Sequence, residues 1–322
     1  MVCIDKYMPF LTEQEQSFMI WSKGHPKGAY AIDRPTEHSV IQDDMINYMH
    51  TLNKDGDGLN VAFIRLGTMR LMRDVNLFAA NLHILKKPIV LVTTDGGRSV
   101  PSEFAKHVVN AILENQYITR WYTQNYDGTI RHEKLQPYPI GFDLHTKNWL
   151  VDGSAMKKLV YMIDVRTGNR DFPIQDKIPN KIFCDAHNSK THGERELLRK
   201  AVEKNSNVIL LSERLSFQDI TKEYNKYQFV LAPRGNGLDT HRTWELFLAG
   251  AIVITKTSSL DEMYIKHDLP VVILQDWNEL NDDIENKMAR WHTEHVWKTD
   301  FKHIFMRLRM NYWLHSKTIT VE

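Results

Sequence analysis

The chain is predicted to be an α/β protein built from two Rossmann-like, doubly wound domains that face a cleft. Three observations carry this prediction. Short apolar runs at 61–66, 89–92, 181–184, 208–211, 229–232, 251–255 and 271–274 alternate with stretches of helical spacing. Such alternation, with helices of ten or so residues between strands, is the pattern of parallel sheets. Several of the runs empty into polar, glycine-bearing turns, as at the carboxyl end of a strand that enters a crossover helix. The length of 322 residues exceeds what one small core needs and suits two domains of moderate size.

Taken in order, residues 1–60 offer scattered aromatics, Phe18, Trp21 and Tyr30, among turn signals. The string NKDGDG at 53–58 has the beginning of a calcium loop, but Ile64 stands where the twelfth-position acid belongs, so a polar turn is expected. A strand follows at 61–66, and the spacing of Leu71, Val75, Phe78, Leu82 and Leu85 predicts a helix over 69–86. Pro88 opens the apolar strand at 89–92, which ends in TTDGGRSVP, with a helix expected from about 101. Asp95 thus stands at a strand's carboxyl end. It could serve as a general base, or be a plain turn aspartate. Residues 117–122 alternate as a strand does, and PIG at 139–141 is expected to close the first domain.

Residues 147–180 mix Pro, Gly and polar residues and form the boundary region, giving domains at 1–150 and 151–300 and a final helical segment at 301–322. The strand at 181–184 opens into DAHNSKTHGERE and a helix over about 193–204. His187 and His192 are spaced wrongly for one helical face and have no carboxylate cluster beside them, so solvated loop histidines are the default and no metal site is expected. A strand at 208–211 precedes a helix capped by Ser216 and running to about 227. After the strand at 229–232 come Arg234, Gly235, Asn236 and Gly237, then a helix with Asp239 or Thr240 as its cap, stopped by Gly250. A short helix near 259–265, a strand at 271–274 and an amphipathic helix at 278–290 complete the second domain. The aromatic-rich end, with Trp297, Phe301, Phe305, Tyr312 and Trp313, is expected to pack as a helix across both domains.

The stretch 228–255 is therefore a βαβ unit whose first turn suits an anion. Glycines admit a ligand close to backbone N–H groups, and the helix start presents free donors and a positive dipole end. Arg234 before the glycines and Arg242 in the first helical turn are two guanidinium forks, which suit a diphosphate. Glu245 shares a face with His241 and Arg242 and could accept ribose hydroxyls, while Trp244, Phe247 and Leu248 have core spacing. Equally, Arg242 and Glu245 could be only a surface ion pair.

The string PRGNGLDTHRTWELFLAGAIVI resembles the donor-site motif of exostosin-like glycosyltransferases of the GT-B architecture, and the likeness extends over roughly 85–275. That resemblance implies that Arg242 contacts a donor diphosphate and Glu245 the ribose. It also implies that the loop after the first strand of the second domain, with Ser189, Thr191 and Arg195, meets the donor phosphates. Thr240 and His241 stand where the family often has serine. On the same resemblance, Asp95 corresponds to an acidic cluster before Val-Pro, although Gly96 and Gly97 fill the place of a second acid. The segments WYTQN, ending at Asn125, and LQPYPIGFDLHT, with Asp143 and His145, would lie near the cleft on the acceptor side; ordinary loop roles are the other reading of these three.

Composition narrows the classes. Hydrophobic residues at 42% and charged residues at 25% are ordinary for a globular chain, and a formal net charge of +1 supplies no basic field for nucleic acid. Cys3 and Cys184 are far apart and suit two reduced thiols. The first residues lack a signal-peptide pattern and no apolar run could span a bilayer, so a cytoplasmic protein of the soluble bacterial or viral type is expected. The leading expectation is an inverting, metal-independent glycosyltransferase. It would use a nucleotide-sugar donor, with UDP as its expected nucleotide, and a glycan or other hydroxyl acceptor, with no cofactor. A non-catalytic nucleotide-sugar-binding or assembly module is the alternative, and a histidine-dependent phosphoester hydrolase ranks below both.

Overall fold

The computed structural model describes residues 19–22, 42–54, 61–67, 73–144, 155–168, 176–186 and 193–314. They divide into two compact units. The first holds Ile20–Ile140 together with Gly237–Asp239, and the second holds Met19, Gly141–Asn236 and the chain from Thr240 onward. Each unit contains one all-parallel sheet, so the protein is of the α/β class.

In the first unit the elements are α1 (Gln42–Thr51), β1 (Val61–Gly67), α2 (Arg73–Ala80), β2 (Ile89–Gly96), α3 (Lys106–Glu114), β3 (Ile118–Thr123) and β4 (Leu135–Pro137). Among the described residues the strand order is β1-β2-β3-β4, without a reversal, and every neighbouring pair is parallel. β2 lies between two partners and is buried along Ile89–Thr94, as its unbroken apolar start requires. Val108, Val109, Ile112 and Leu113 of α3 recur at helical spacing and join Ile64, Leu91 and Trp121 in the core.

Three boundaries differ from those the sequence predicts. The helix expected over 69–86 is α2 followed by a 3-10 turn at Leu82–Ile84. At the break, Asn81 Nδ2 donates to the Leu77 carbonyl at 2.7 Å, a local bond that competes with the helix ladder. The helix expected from 101 starts at Lys106, because residues 101–104 form a turn closed by the Phe104 N–H on the Pro101 carbonyl at 3.0 Å. The strand expected at 139–141 is found at Leu135–Pro137; Pro139, lacking an N–H, could not have extended the ladder.

The second unit contains α4 (Ala155–Thr167), β5 (Ile178–Cys184), α5 (Glu194–Val202), β6 (Val208–Leu210), α6 (Phe217–Lys226), β7 (Tyr227–Leu231), α7 (His241–Leu248), β8 (Ile252–Lys256), α8 (Asp261–Lys266), β9 (Val271–Leu274), α9 (Ile284–His295), α10 (Phe301–Arg307) and α11 (Met310–Leu314). Its sheet runs β6-β5-β7-β8-β9. The chain lays β6 on one side of β5 and the later strands on the other, so the winding reverses between β5 and β7. In open parallel sheets such a switch point leaves a crevice beyond the carboxyl ends of the two strands.

Ser216 caps α6 as its position predicts, its hydroxyl accepting from the Asp219 N–H at 3.1 Å. The helix expected at 278–290 is displaced. Asp276 and Glu279 form a capping box around a 3-10 turn, Trp277–Asn281, and Asp283 at φ 48° breaks the chain before α9 starts at Ile284. The single terminal helix expected over 301–322 is two short ones, with residues 315–322 outside the described set. Trp313 of α11 packs edge-on to Trp244 of α7, their ring centres 5.8 Å apart. Among the described residues no helix is long and apolar enough to cross a membrane.

Candidate functional site

The loop between β7 and α7 is pinned at both ends. The Ala232 N–H donates to the Ile254 carbonyl at 2.9 Å, which registers the strand end against β8. At the far end Gly250 adopts φ +71°, the left-handed conformation that closes helices, and a Cβ there would come within 2.6 Å of the Arg166 guanidinium. Between them α7 buries Trp244, Leu246, Phe247 and Leu248, leaving Arg242 and Glu245 half-buried on another side. Thr240 is the N-cap, yet its side chain caps no helix N–H; its hydroxyl lies 3.1 Å from that of Thr243. His241 Nδ1 donates to the Gly141 carbonyl at 2.8 Å.

At the switch point Arg242 and Arg195 lie within reach of each other's charge, and Arg195 reaches the loop that carries Arg234. Asp185, the residue after β5, lies 3.0 Å from Arg242 Nε through Oδ1. The Tyr224 hydroxyl of α6 donates to Asp185 Oδ2 at 2.6 Å and accepts from Arg242 Nε at 3.3 Å. Arg195, in the first turn of α5, reaches the loop: its Nε donates to the Arg234 carbonyl at 3.4 Å, and its Nη2 would stand 3.3 Å from a Cβ on Gly235. The charge of Arg242 is felt at Arg195, where burial, and then that neighbouring guanidinium, push the pKa down. At Arg242 burial acts in the same downward sense, but Asp185 and Tyr224 outweigh it and the guanidinium is held charged. Arg242 Nη1 and Arg234 Nε are shut off from solvent and have no hydrogen-bond partner among the described residues. Cys184, buried just before Asp185, has its thiol pushed up to about 11, chiefly by burial.

The tip of the loop belongs to the first unit. Asp239, weighed as a helix cap, instead accepts from the Ile140 N–H at 2.7 Å, and its own N–H donates to Asn125 Oδ1 at 3.0 Å. Asn125 Nδ2 donates to the Gly96 carbonyl at 2.9 Å. Its side chain therefore spans Gly96 and Asp239 and acts as a clamp inside this unit, a different task from the acceptor contact expected of it. Gly237 is seated on that clamp, and Asn236 beside it is exposed. Asp95 sits at the carboxyl end of β2 with φ 58°, its N–H on Gln124 Oε1 at 3.0 Å and its Oδ2 3.1 Å from Arg65 Nε.

Glu245 lines a small cavity of about 20 Å³ within the second unit, among Met162, Phe217, Ile220, Ala249 and Tyr224. Its carboxylate accepts from the Asp143 N–H, while the Asp143 carbonyl accepts from Lys158 Nζ at 3.1 Å. Burial, with the like charge of Asp143 adding to it, lifts the Glu245 carboxyl to about 7, against the opposing pull of Arg242 and Lys158. A carboxyl whose folded pKa exceeds its ordinary value holds its proton more tightly when folded. Its contribution is complete below the ordinary carboxyl range and is lost as pH rises through 7. Replacing Glu245 by Gln should therefore favour the variant increasingly with pH, by about 2–3 kcal/mol between pH 5 and pH 8. Denaturant melts at the two pH values measure this, and parallel behaviour of variant and parent would refute it.

Of the residues singled out by sequence, Arg195, Arg234, Gly235 and Arg242 are brought together in the second unit, and Gly237 and Asn125 in the first. Asp143 lies in the second unit. Ser189, Thr191, His145, His187 and His192 fall outside the described residues. Asp185, Tyr224 and Lys158 were not anticipated. Asp185 carried a readable signal, its place at the carboxyl end of a strand. Tyr224 carried none, because it sits mid-helix at core spacing.

No protein-family description matches the chain, and no curated protein matches it. Among solved structures it is similar to the pneumococcal O-GlcNAc transferase GtfA in complex with UDP and GlcNAc, at 10% identity over 85% of this chain and 59% of that one, TM-score 0.37. It is also similar to a UDP-N-acetylglucosamine 2-epimerase, at 10% identity over 89% of this chain and 81% of that one, TM-score 0.31. A third is WaaG, a glycosyltransferase involved in lipopolysaccharide biosynthesis, at 11% identity over 81% of this chain and 100% of that one, TM-score 0.30. The chain thus spans less than two thirds of the pneumococcal enzyme. At these identities and scores the likenesses carry neither fold nor activity across, and the site stands on its own residues.

Proposed function

We propose that the second unit binds a nucleotide-diphosphate sugar and that the chain transfers the sugar to a hydroxyl of a glycan or other acceptor. The observation that carries this reading is that Arg195 and Arg242 act on each other at the switch point while Arg195 reaches the Arg234 carbonyl and Gly235 of the loop. Asp185 pairs with Arg242, and its charge also reaches Arg195, so one carboxylate stands against two guanidinium groups and positive charge is left for an anionic group. A departing diphosphate develops charge as the glycosidic bond breaks, and donors fixed in a partly dry site stabilise it without reorganising. In this reading Glu245, beside the cluster, takes ribose hydroxyls, and the arginines supply the charge compensation that a divalent cation supplies elsewhere. Asp95 is the base proposed for the acceptor hydroxyl, and direct attack would invert the anomeric centre.

The Arg65–Asp95 pair favours a second reading, because Asp95 Oδ2 is already held 3.1 Å from a guanidinium and is less free to reach an acceptor hydroxyl. A module that binds the nucleotide sugar without turning it over would keep the arginine cluster and need no base. A thermal-shift screen of nucleotide sugars identifies the donor, since a ligand of the folded state raises the melting temperature. Turnover of that donor is then followed in parent and Asp95→Ala, with and without EDTA. The transferase reading expects turnover that resists EDTA and falls at least a hundredfold in the variant, within the range a positioned general base contributes. Binding without turnover to any acceptor selects the module.

A further inference from the structure

We infer that Asp185 and Tyr224 are positioning residues that lock Arg242 in an anion-gripping pose, an inference that rests on the donor site proposed above. The three side chains come from separate elements: the end of β5, the middle of α6 and the first turn of α7. They close a ring. The Tyr224 hydroxyl donates to Asp185 Oδ2 at 2.6 Å, Arg242 Nε donates to that hydroxyl at 3.3 Å, and the same Nε stands 3.0 Å from Asp185 Oδ1. Both contacts that Arg242 makes in the ring use its Nε. The opposite corner, Nη1, is shut off from solvent and has no partner among the described residues.

A free arginine side chain samples many rotamers, and a ligand that uses it must stop that motion. Here the ordering is done before any ligand arrives, which is the physical meaning of preorganisation. Asp185 is 3% exposed at its side chain, so the ring is sheltered from the screening that weakens surface pairs. Tyr224 is held in turn by its ring edge against Phe183, the centres 6.3 Å apart. Phe183 stacks on Tyr227 at 4.9 Å. Among the described residues, Arg195 from α5, Glu245 from α7 and the thiol of Cys184 at the end of β5 interact electrostatically with the ring.

The alternative role for Asp185 is simple neutralisation of excess positive charge, and the two roles predict opposite signs. If Asp185 only neutralises, Asp185→Asn makes the cluster more cationic and tightens anion binding. If it positions, the same change releases the guanidinium and weakens binding despite the gain in net positive charge. The test is calorimetric titration of the full chain with pyrophosphate and UDP, for the parent, Asp185→Asn, Tyr224→Phe and Arg242→Ala, with circular dichroism verifying each fold. We expect Asp185→Asn and Tyr224→Phe each to weaken both probes about tenfold, the loss of one charge-assisted contact's worth of order. Tyr224→Phe removes one oxygen and keeps the ring, so it reports even where Asp185→Asn fails to fold. Tighter or unchanged binding in either variant, with Arg242→Ala still weakened, overturns the positioning role and leaves the donor site standing. Unchanged binding in Arg242→Ala overturns the donor site itself, and this inference with it.

Discussion

Arg242→Ala is expected to lose stability and nucleoside-diphosphate affinity together, by separable amounts. The substitution strands the Asp185 carboxylate, 3% exposed, without its counter-ion. Breaking one side of a buried pair costs about 3–5 kcal/mol, most of it the desolvation of the charge left behind. Affinity for UDP should fall by about 1.5–3 kcal/mol, the range for a hydrogen bond to a charged group. The two losses are distinguished by a double variant. Adding Asp185→Asn removes the stranded charge and should restore much of the stability while leaving UDP binding as weak as in Arg242→Ala alone, because Asp185 acts on the ligand through that guanidinium, so both cycles are non-additive. Urea denaturation and calorimetry on the four proteins of the cycle give both numbers. Full affinity in Arg242→Ala would detach the arginine from the donor.

Gly237→Ala should be the most damaging single methyl in the loop. A Cβ there would stand 2.6 Å from Asn125 Oδ1, 2.7 Å from Nδ2 and 2.9 Å from Cγ. Asn125 cannot retreat cheaply, because its side chain already bridges the Asp239 N–H and the Gly96 carbonyl. Overpacking of this kind costs about 1–3 kcal/mol, and a bridge bond lost with it adds about 1 kcal/mol. Gly235→Ala is the control. Its nearest obstacle is Arg195 Nη2 at 3.3 Å, the far end of a flexible side chain, followed by Thr240 Cγ2 at 3.5 Å. We expect it to leave the urea midpoint nearly unchanged while shifting Arg195 and weakening pyrophosphate binding. Equal midpoints for the two alanine variants would show that Asn125 yields more readily than its bonds suggest.

These contrasts show where the sequence was legible. Strand positions were readable because each run buried in a parallel sheet is apolar without interruption, as in 89–92 and 229–232. The glycine loop and its arginines were readable because one turn carries them. Helix boundaries were read less well. A capping box at Asp276 builds a 3-10 turn before α9, and a bond from Asn81 to Leu77 cuts short the helix expected to reach 86. Neither changes hydrophobic spacing, which is what periodicity senses. The ring around Arg242 was beyond reach for a different reason. Its members lie 18 and 57 positions from Arg242, and only the sheet order β6-β5-β7 sets them side by side.

Cys184 turns that arrangement into a clock. Its thiol is buried at the end of β5 and pushed up to about 11, so at neutral pH it is both inaccessible and protonated. An alkylating reagent can take it only when the sheet opens around it, and the rate of labelling then tracks that opening. A ligand that clasps the neighbouring residues must slow the labelling by the factor with which it holds the closed state, so a single sulfur can report occupancy of a site it never touches.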